Sequence, residues 1–220
     1  MLNALDDWTK LLDAVWISID VVYTDFQKAF DTVPHQRLMM KLNSYGIHSK
    51  VLTWIRSFLT GRKQRVVITG YESMWTSIIS GVPQGASWVP SCILYPVYIN
   101  DIVENLSCNA YLFANDMKLF SGITSDLDIN KLQFKLISTQ SLHGLKWLLK
   151  LNAQKCKTIT VGESHNGQTH TYQLDSQNLC TVTEEKHLGV LIDNDLQFEN
   201  HILSKNQDSK LDYWICQMQF

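Results

Sequence analysis

The chain has 220 residues, 45% of them hydrophobic, which is the make-up of one globular domain with a proper core. Charged residues account for 18%, below the usual ~25%. The net charge is −2, so charge alone gives no support for tight binding to nucleic-acid phosphates by this piece.

Leu2, Leu5, Trp8, Leu11 and Leu12 recur at helical spacing and predict a first amphipathic helix. Ile17-Ser18-Ile19 then leads into Val21-Val22-Tyr23-Thr24-Asp25, a β-branched and aromatic run that reads as a buried strand ending at Asp25. A carboxylate at such a strand end points into a crevice rather than into the core. Thr32 and Pro34 follow, and proline suits the first turn of a helix, so Asp25 is expected on a strand-to-helix turn able to hold a metal ion. Asp31 reads as a helix cap. Residues 35–45 predict a second helix, with Leu38, Met39 and Leu42 inward and Gly46 as its stop, and residues 50–59 a third, ending at Gly61.

Residues 64–68 and 74–79 read as two strands joined around Gly70. Arg62, Lys63 and Arg65 form the one clear basic cluster, readable equally as a phosphate contact or as a charged hairpin edge. Residues 87–104 read as a helix with Pro90 in its first turn and a kink at Pro96. Ala110 to Phe120 reads as strand, turn, strand, with Asn115-Asp116 as the turn pair. Residues 127–149 make the longest helix, followed by short strands at 158–161, 169–174 and 187–192, with 164–168 the most loop-like stretch. This order predicts an α+β fold with a mostly antiparallel sheet.

The five cysteines, Cys92, Cys108, Cys156, Cys180 and Cys216, form no C-x-x-C pair and read as free thiols in a reducing compartment. A zinc set of Cys156, His165, His170 and Cys180 lacks ligand spacing. Asp6 and Asp7 precede any apolar run, so no signal peptide is expected, and the apolar stretch 88–102 is broken by Pro90 and Pro96 and is too short for a membrane span. An intracellular chain is the expectation.

An acidic hairpin tip beside a strand-end aspartate is the layout of a two-metal nucleotidyl-transfer site. Two divalent ions ~3.5–4 Å apart are held by shared carboxylates, one activating the attacking hydroxyl and one the leaving phosphate. Between Asp25 and Asp116 stands Ser80-Gly81-Val82-Pro83-Gln84-Gly85-Ala86. The order Asp25-x-x-x-x-Phe30, Gly81-Val82-Pro83-Gln84-Gly85, Phe113-Ala114-Asn115-Asp116 resembles motifs A, B and C of a reverse transcriptase. More narrowly it resembles those of non-LTR (LINE-type) retrotransposons of the jockey and chicken-repeat kind. Phe58-Leu59-Thr60-Gly61-Arg62, Tyr98-Ile99-Asn100-Asp101, Leu151-Asn152 with Lys155-Cys156, and His187-Leu188-Gly189-Val190 extend the match from about Leu5 to about His201.

The resemblance implies RNA-templated addition of deoxynucleotides with Mg²⁺, and a palm with part of the fingers, the thumb being absent or truncated. It implies an RNA template, a DNA primer and a deoxynucleoside triphosphate as partners. Asp25 and Asp116 would hold metal, with Phe26 lending its backbone carbonyl. Ala29 and Phe30 would meet the nucleotide, Phe30 blocking a ribose 2′-OH, although the ring also reads as a core Phe. Gln84 and Gly85 would lie along nucleotide and template, and Lys155 would donate a proton to the leaving pyrophosphate, unless it is a surface lysine. His187-Leu188-Gly189 resembles the primer-grip strand pair.

Two departures stand out. Asn115 occupies the place of the first of two tandem motif C aspartates, and Ala86 and Val89 replace a Ser and a Gly of motif B. Asn115 keeps the side-chain shape and one acceptor oxygen but removes a charge that Mg²⁺ wants. The expectation is therefore weak metal binding and impaired catalysis. The alternative is a non-catalytic remnant that binds nucleic acid or protein. A nucleotidyl cyclase on a similar palm leaves Gly81 to Gly85 unexplained.

Overall fold

Strand β1 (Ser18–Asp25) is buried on both faces along almost its whole length, its polar Ser18, Asp20 and Thr24 included. The computed structural model describes residues 2–14, 18–84, 89–103, 109–163 and 169–206. The chain divides into two compact units, one of Met1–Thr24, Lys118–Phe134 and Ala153–Phe220, the other of Asp25–Met117 and Lys135–Asn152. Among the described residues no helix is long and apolar enough to cross a membrane.

In the first unit, helix α1 (Leu2–Ala14) buries Trp8 completely, and its ring meets Phe120 edge-on at 6.0 Å. Strand β8 (Lys157–Val161) pairs antiparallel with β1, from Ile19 opposite Val161 to Tyr23 opposite Lys157. Strand β11 (Cys180–Thr181) adds parallel to β8. Strand β7 (Asp116–Ile123) neighbours β1 on its other edge, so the order here is β11-β8-β1-β7, while β6 (Asn109–Phe113) belongs to the second unit.

Asp20 is 1% exposed in the middle of β1. A buried carboxylate is tolerable only when its oxygens are satisfied. Thr160 Oγ1 donates to it at 2.8 Å, His170 Nδ1 at 2.7 Å and the Tyr172 hydroxyl at 2.6 Å. These contacts explain two corrections. Residues 169–174 are not one strand: only β9 (Gln173–Leu174) pairs, with β10 (Gln177–Asn178), and the preceding residues deliver His170 and Tyr172 to Asp20. His170 is likewise committed to Asp20 rather than to a zinc set, Cys156 is buried while Cys180 is exposed, and His165 lies outside the described residues, as does the 164–168 loop.

Residues 187–192 are also not a single strand. They form the turn of a hairpin, β12 (Glu184–His187) with β13 (Val190–Asp193). Leu188 and Gly189 have φ of 50° and 83°, the two positive values that a two-residue hairpin turn demands. The apolar run masks this turn in the sequence, though a strand pair agrees with the primer-grip resemblance.

In the second unit, helix α2 (His35–Ser44) buries Leu38, Met39 and Leu42 as its periodicity predicts. It ends in a Schellman motif: Ile47 N–H donates to Leu42 O at 3.0 Å and Gly46 N–H to Asn43 O at 3.1 Å, with Gly46 at φ 84°. Its N-cap is Pro34, without a side-chain cap, so Asp31 is not the cap that the sequence suggests. Lys41 is unexpectedly buried. Its Nζ pairs with Asp101 Oδ1 at 2.5 Å and lies 4.4 Å from the Trp147 ring centroid.

Helix α3 (Ser49–Leu59) follows, then short ladders β2 (Lys63–Gln64) with β5 (Thr76–Ser77) and β3 (Val67–Ile68) with β4 (Tyr71–Glu72). The two long strands expected here are thus four two-residue pieces around a turn at Thr69 and Gly70, with φ of 47° and 84°. Helix α4 (Val89–Ile99) carries Pro96 internally and continues as a 3₁₀ turn over Asn100–Ile102. Helix α5 (Asp126–Trp147) is the longest. The α+β expectation matches this architecture.

His187 supplies a pH test. Burial first, then the charges of Lys118 and the N-terminus, push its imidazole down from 6.5 to about 4. The unfolded chain therefore binds a proton that the folded chain refuses between those values, and folding stability falls as pH drops through this window. Urea unfolding of His187→Phe, followed from pH 7 to 4, should show a flatter loss of stability than the parent chain.

Candidate active site

Asp25 closes β1 and is half-buried. Beyond it the chain is held to residues 150–152. Asn152 N–H donates to Asp25 O at 2.7 Å and Gln27 N–H to Lys150 O at 2.8 Å, flanking an antiparallel bridge between Phe26 and Leu151. Those two bonds use the carbonyl before Phe26 and the amide after it, so the Phe26 carbonyl points away from residues 150–152. Leu151 N–H is received by Gln140 Oε1 of α5 at 2.9 Å.

The turn over residues 27–32 then presents Ala29, which is buried, and Phe30, which is half-buried. The Phe30 ring lies on the ring of Tyr95 from α4, with centroids 4.3 Å apart and an interplanar angle of 31°. Tyr95 is 0% exposed, and its hydroxyl has no hydrogen-bond partner among the described residues. Burial pushes its ionisation well above the ordinary tyrosine range, and the charges of Asp25 and Asp116 add to the shift, followed by Tyr98.

Asp116 is the first residue of β7, and β7 neighbours β1 in the sheet. The turn consists of Ala114 and Asn115, with Ala114 at φ 53°, so the expected Asn115-Asp116 turn pair is displaced by one residue. Asn115 sits in the loop, half-buried, and Asp116 is fixed by strand geometry.

The 80–84 segment reaches the same turn through its backbone. Gly81 N–H donates to Val33 O and Val82 N–H to Phe30 O, both at 2.8 Å, and Ser80 Oγ to Asp31 O at 2.8 Å. Gly81 has φ 90°, and a Cβ there would stand 2.8 Å from Asp31 Cα and 2.9 Å from Phe30 O. Glycine is required for both reasons. Gln84 is exposed, and Gly85 lies outside the described residues, as do Ala86 and the rest of 85–88.

The basic cluster divides. Arg62 turns inward, donating from Nε to Leu59 O at 3.0 Å and from Nη2 to Gly81 O at 2.8 Å. Arg65 pairs with Glu72 and lies over the Trp75 ring at 4.6 Å, while Lys63 is exposed on β2. Lys155 is exposed in the turn ahead of β8, in the other unit. Sequence reasoning missed Tyr95, which reads as one more apolar residue of Ile93-Leu94-Tyr95; its only signal is an aromatic carrying a polar handle.

A profile of the family described as reverse transcriptase (RNA-dependent DNA polymerase) matches residues 9–192. The chain belongs to the reverse transcriptase family. It is 29% identical over 190 residues to the RNA-directed DNA polymerase from mobile element jockey of Drosophila funebris, a match covering 83% of this chain and 20% of that protein. The jockey polymerase of Drosophila melanogaster is 26% identical over 193 residues, covering 84% of this chain and 21% of that protein. The Pol polyprotein from type-1 retrotransposable element R2 of Popillia japonica is 25% identical over 169 residues, covering 71% and 27%. Its homologues are thus polymerases of non-LTR retrotransposons, and the chain spans about a fifth of the length of the jockey proteins. Apo telomerase from Candida tropicalis shares the fold, with a TM-score of 0.55 at 14% identity over 90% of this chain and 38% of that one.

Crowding at Gly81 can be separated from backbone strain. Gly70 also has positive φ but open space around it. Gly81→Ala should destabilise the chain by ~1–3 kcal/mol more than Gly70→Ala in urea titrations. Equal costs would mean that the turn and the 80–82 segment do not touch.

Proposed function

We propose that the 220 residues form one partial reverse transcriptase domain, a palm with part of the fingers, of an RNA-directed DNA polymerase from a non-LTR retrotransposon. The observation that carries this reading is the family match over residues 9–192, which spans Asp25, the 80–85 segment and Asp116, with Phe30 stacked on the buried Tyr95 ring just beyond Asp25. The donors that the motif pattern names suit a hard cation: the Asp25 and Asp116 carboxylates, the Phe26 carbonyl and the Asn115 amide oxygen are all oxygen ligands. Bound Mg²⁺ would polarise the transferred phosphate and activate the attacking hydroxyl.

Asp25 and Asp116 supply two negative charges where the family pattern supplies three, so a second divalent ion is poorly neutralised. Each ~1.4 kcal/mol of lost transition-state stabilisation costs a factor of ten, and a missing metal interaction worth several kcal/mol lowers the rate on the order of a thousandfold. In this reading Phe30 excludes a 2′-OH, with Ala29 beside it, and Gln84 serves nucleotide and template; Gly85 and Lys155 keep the nucleotide and proton-donor roles that their motifs imply, with no position assigned to either. Of the basic cluster, this reading assigns phosphate contact to exposed Lys63, with Arg65 shared with Glu72 and Arg62 bound to Gly81 O. RNA template and DNA primer are the partners, in an intracellular setting. A telomerase neighbour described in complex with a TWJ fragment of telomeric RNA supports the RNA side of this reading.

Calorimetry and Mn²⁺ relaxation test the charge argument. Asn115→Asp should bind Mg²⁺ at least ~10-fold more tightly than the parent chain, because it restores a hard, charged ligand. Equal affinities would remove Asn115 from the metal site and leave the non-catalytic remnant as the better reading.

The sugar-gate role has its own assay. In the Asn115→Asp chain, primer extension with Phe30→Ala should admit ribonucleotides. Unchanged discrimination between ribo- and deoxynucleotides would make Phe30 a packing residue for Tyr95 only.

A further inference from the structure

The Gly81 carbonyl receives two side chains. His35 Nε2, from the first turn of α2, lies 2.9 Å away, and Arg62 Nη2 lies 2.8 Å away. A carbonyl oxygen has two lone pairs, so this acceptor is fully used. The amide of the same residue is also used, donating to Val33 O. Gly81 is therefore pinned through every polar atom it has, against a turn so close that no side chain fits between.

Arg62 is the less replaceable of the two donors. Its Nε bonds Leu59 O, one of the last carbonyls of α3, which lack partners within the helix. Its own carbonyl receives Ile78 N–H at 2.9 Å, which closes the base of the β2–β5 hairpin. One planar guanidinium thus spans the end of α3 and the Gly81 carbonyl. A lysine ammonium on a flexible stem does not offer two donors in that fixed fork.

We infer that Arg62 and His35 are positioning residues: by sharing the Gly81 carbonyl they hold the segment leading to Gln84 against the turn that carries Phe30. The latch itself stands on these hydrogen bonds. Its consequence for nucleotide use rests on the polymerase reading above. Phe30 and Gln84 sit on segments with no common strand or helix, so their spacing is set by this latch and by the three bonds from Ser80, Gly81 and Val82 to residues 30–33.

The test uses the full chain in the Asn115→Asp background, with thermal melts confirming that each variant folds. Amide exchange at Gly81 and Val82 is read by NMR. Arg62→Lys and His35→Ala should each speed exchange at both amides by about tenfold, while Leu42 in α2 stays protected. His35→Gln, whose side-chain amide can reach the same carbonyl, should keep the protection. In primer extension the same two variants should raise KM for the deoxynucleotide severalfold with kcat little changed, and His35→Gln should not. Unchanged exchange in Arg62→Lys and His35→Ala would overturn the latch. Faster exchange with unchanged KM would overturn the positioning role. An Asn115→Asp chain that extends no primer would count against the polymerase reading, while the exchange data still decide the latch.

Discussion

The turn from Gln27 to Thr32 belongs to neither a strand nor a helix, and the candidate site depends on what holds it. Two distant segments do so mainly through their backbones: residues 150–152 grip Asp25 and Gln27, and Gly81 and Val82 grip Val33 and Phe30, with the Ser80 hydroxyl adding one side-chain bond to Asp31 O. Backbone bonds are insensitive to side-chain identity, but they demand close approach. That demand falls on Gly81, where added bulk would meet main-chain atoms that cannot move aside. The requirement for glycine there is thus steric as well as conformational.

The chemistry hangs from this frame. Asp25 leaves β1, Asp116 enters β7, and the Tyr95 phenol is buried and has no hydrogen-bond partner among the described residues. Two like charges near one low-dielectric pocket are costly unless a cation offsets them. In the proposed site, an amide at Asn115 would lower the repulsion between carboxylates in the absence of metal and would also lower the attraction for metal.

Much of the frame is legible in the sequence because it rests on periodicity and on turn residues. The buried run of β1, the inward stripe of Leu38, Met39 and Leu42, and the stop at Gly46 are each a local pattern with a local cause. What the sequence hides is tertiary. Lys41 reads as part of the polar face of α2, yet Asp101 and the Trp147 ring make its burial tolerable. Arg62 reads as a phosphate contact, and only the fold brings Gly81 within its reach. The β12–β13 turn is hidden in another way, because Leu188 adopts a positive φ that a bulky aliphatic residue seldom takes. Sequence order and motif spacing place Asp25 and Asp116; they say nothing of Tyr95, whose importance lies in what surrounds it.

The central claim is that Asp25 and Asp116 form one cation site beside Tyr95. Paramagnetic broadening by substoichiometric Mn²⁺ tests it most directly, since the effect falls steeply with distance and needs no catalysis. The amide signals of Phe26, Asn115 and Met117 should broaden first and together, with the Tyr95 ring signals close behind. Broadening of Asp25's neighbours without those of Asp116, or broadening centred on the acidic loops around Glu184 and Asp193, would contradict the account.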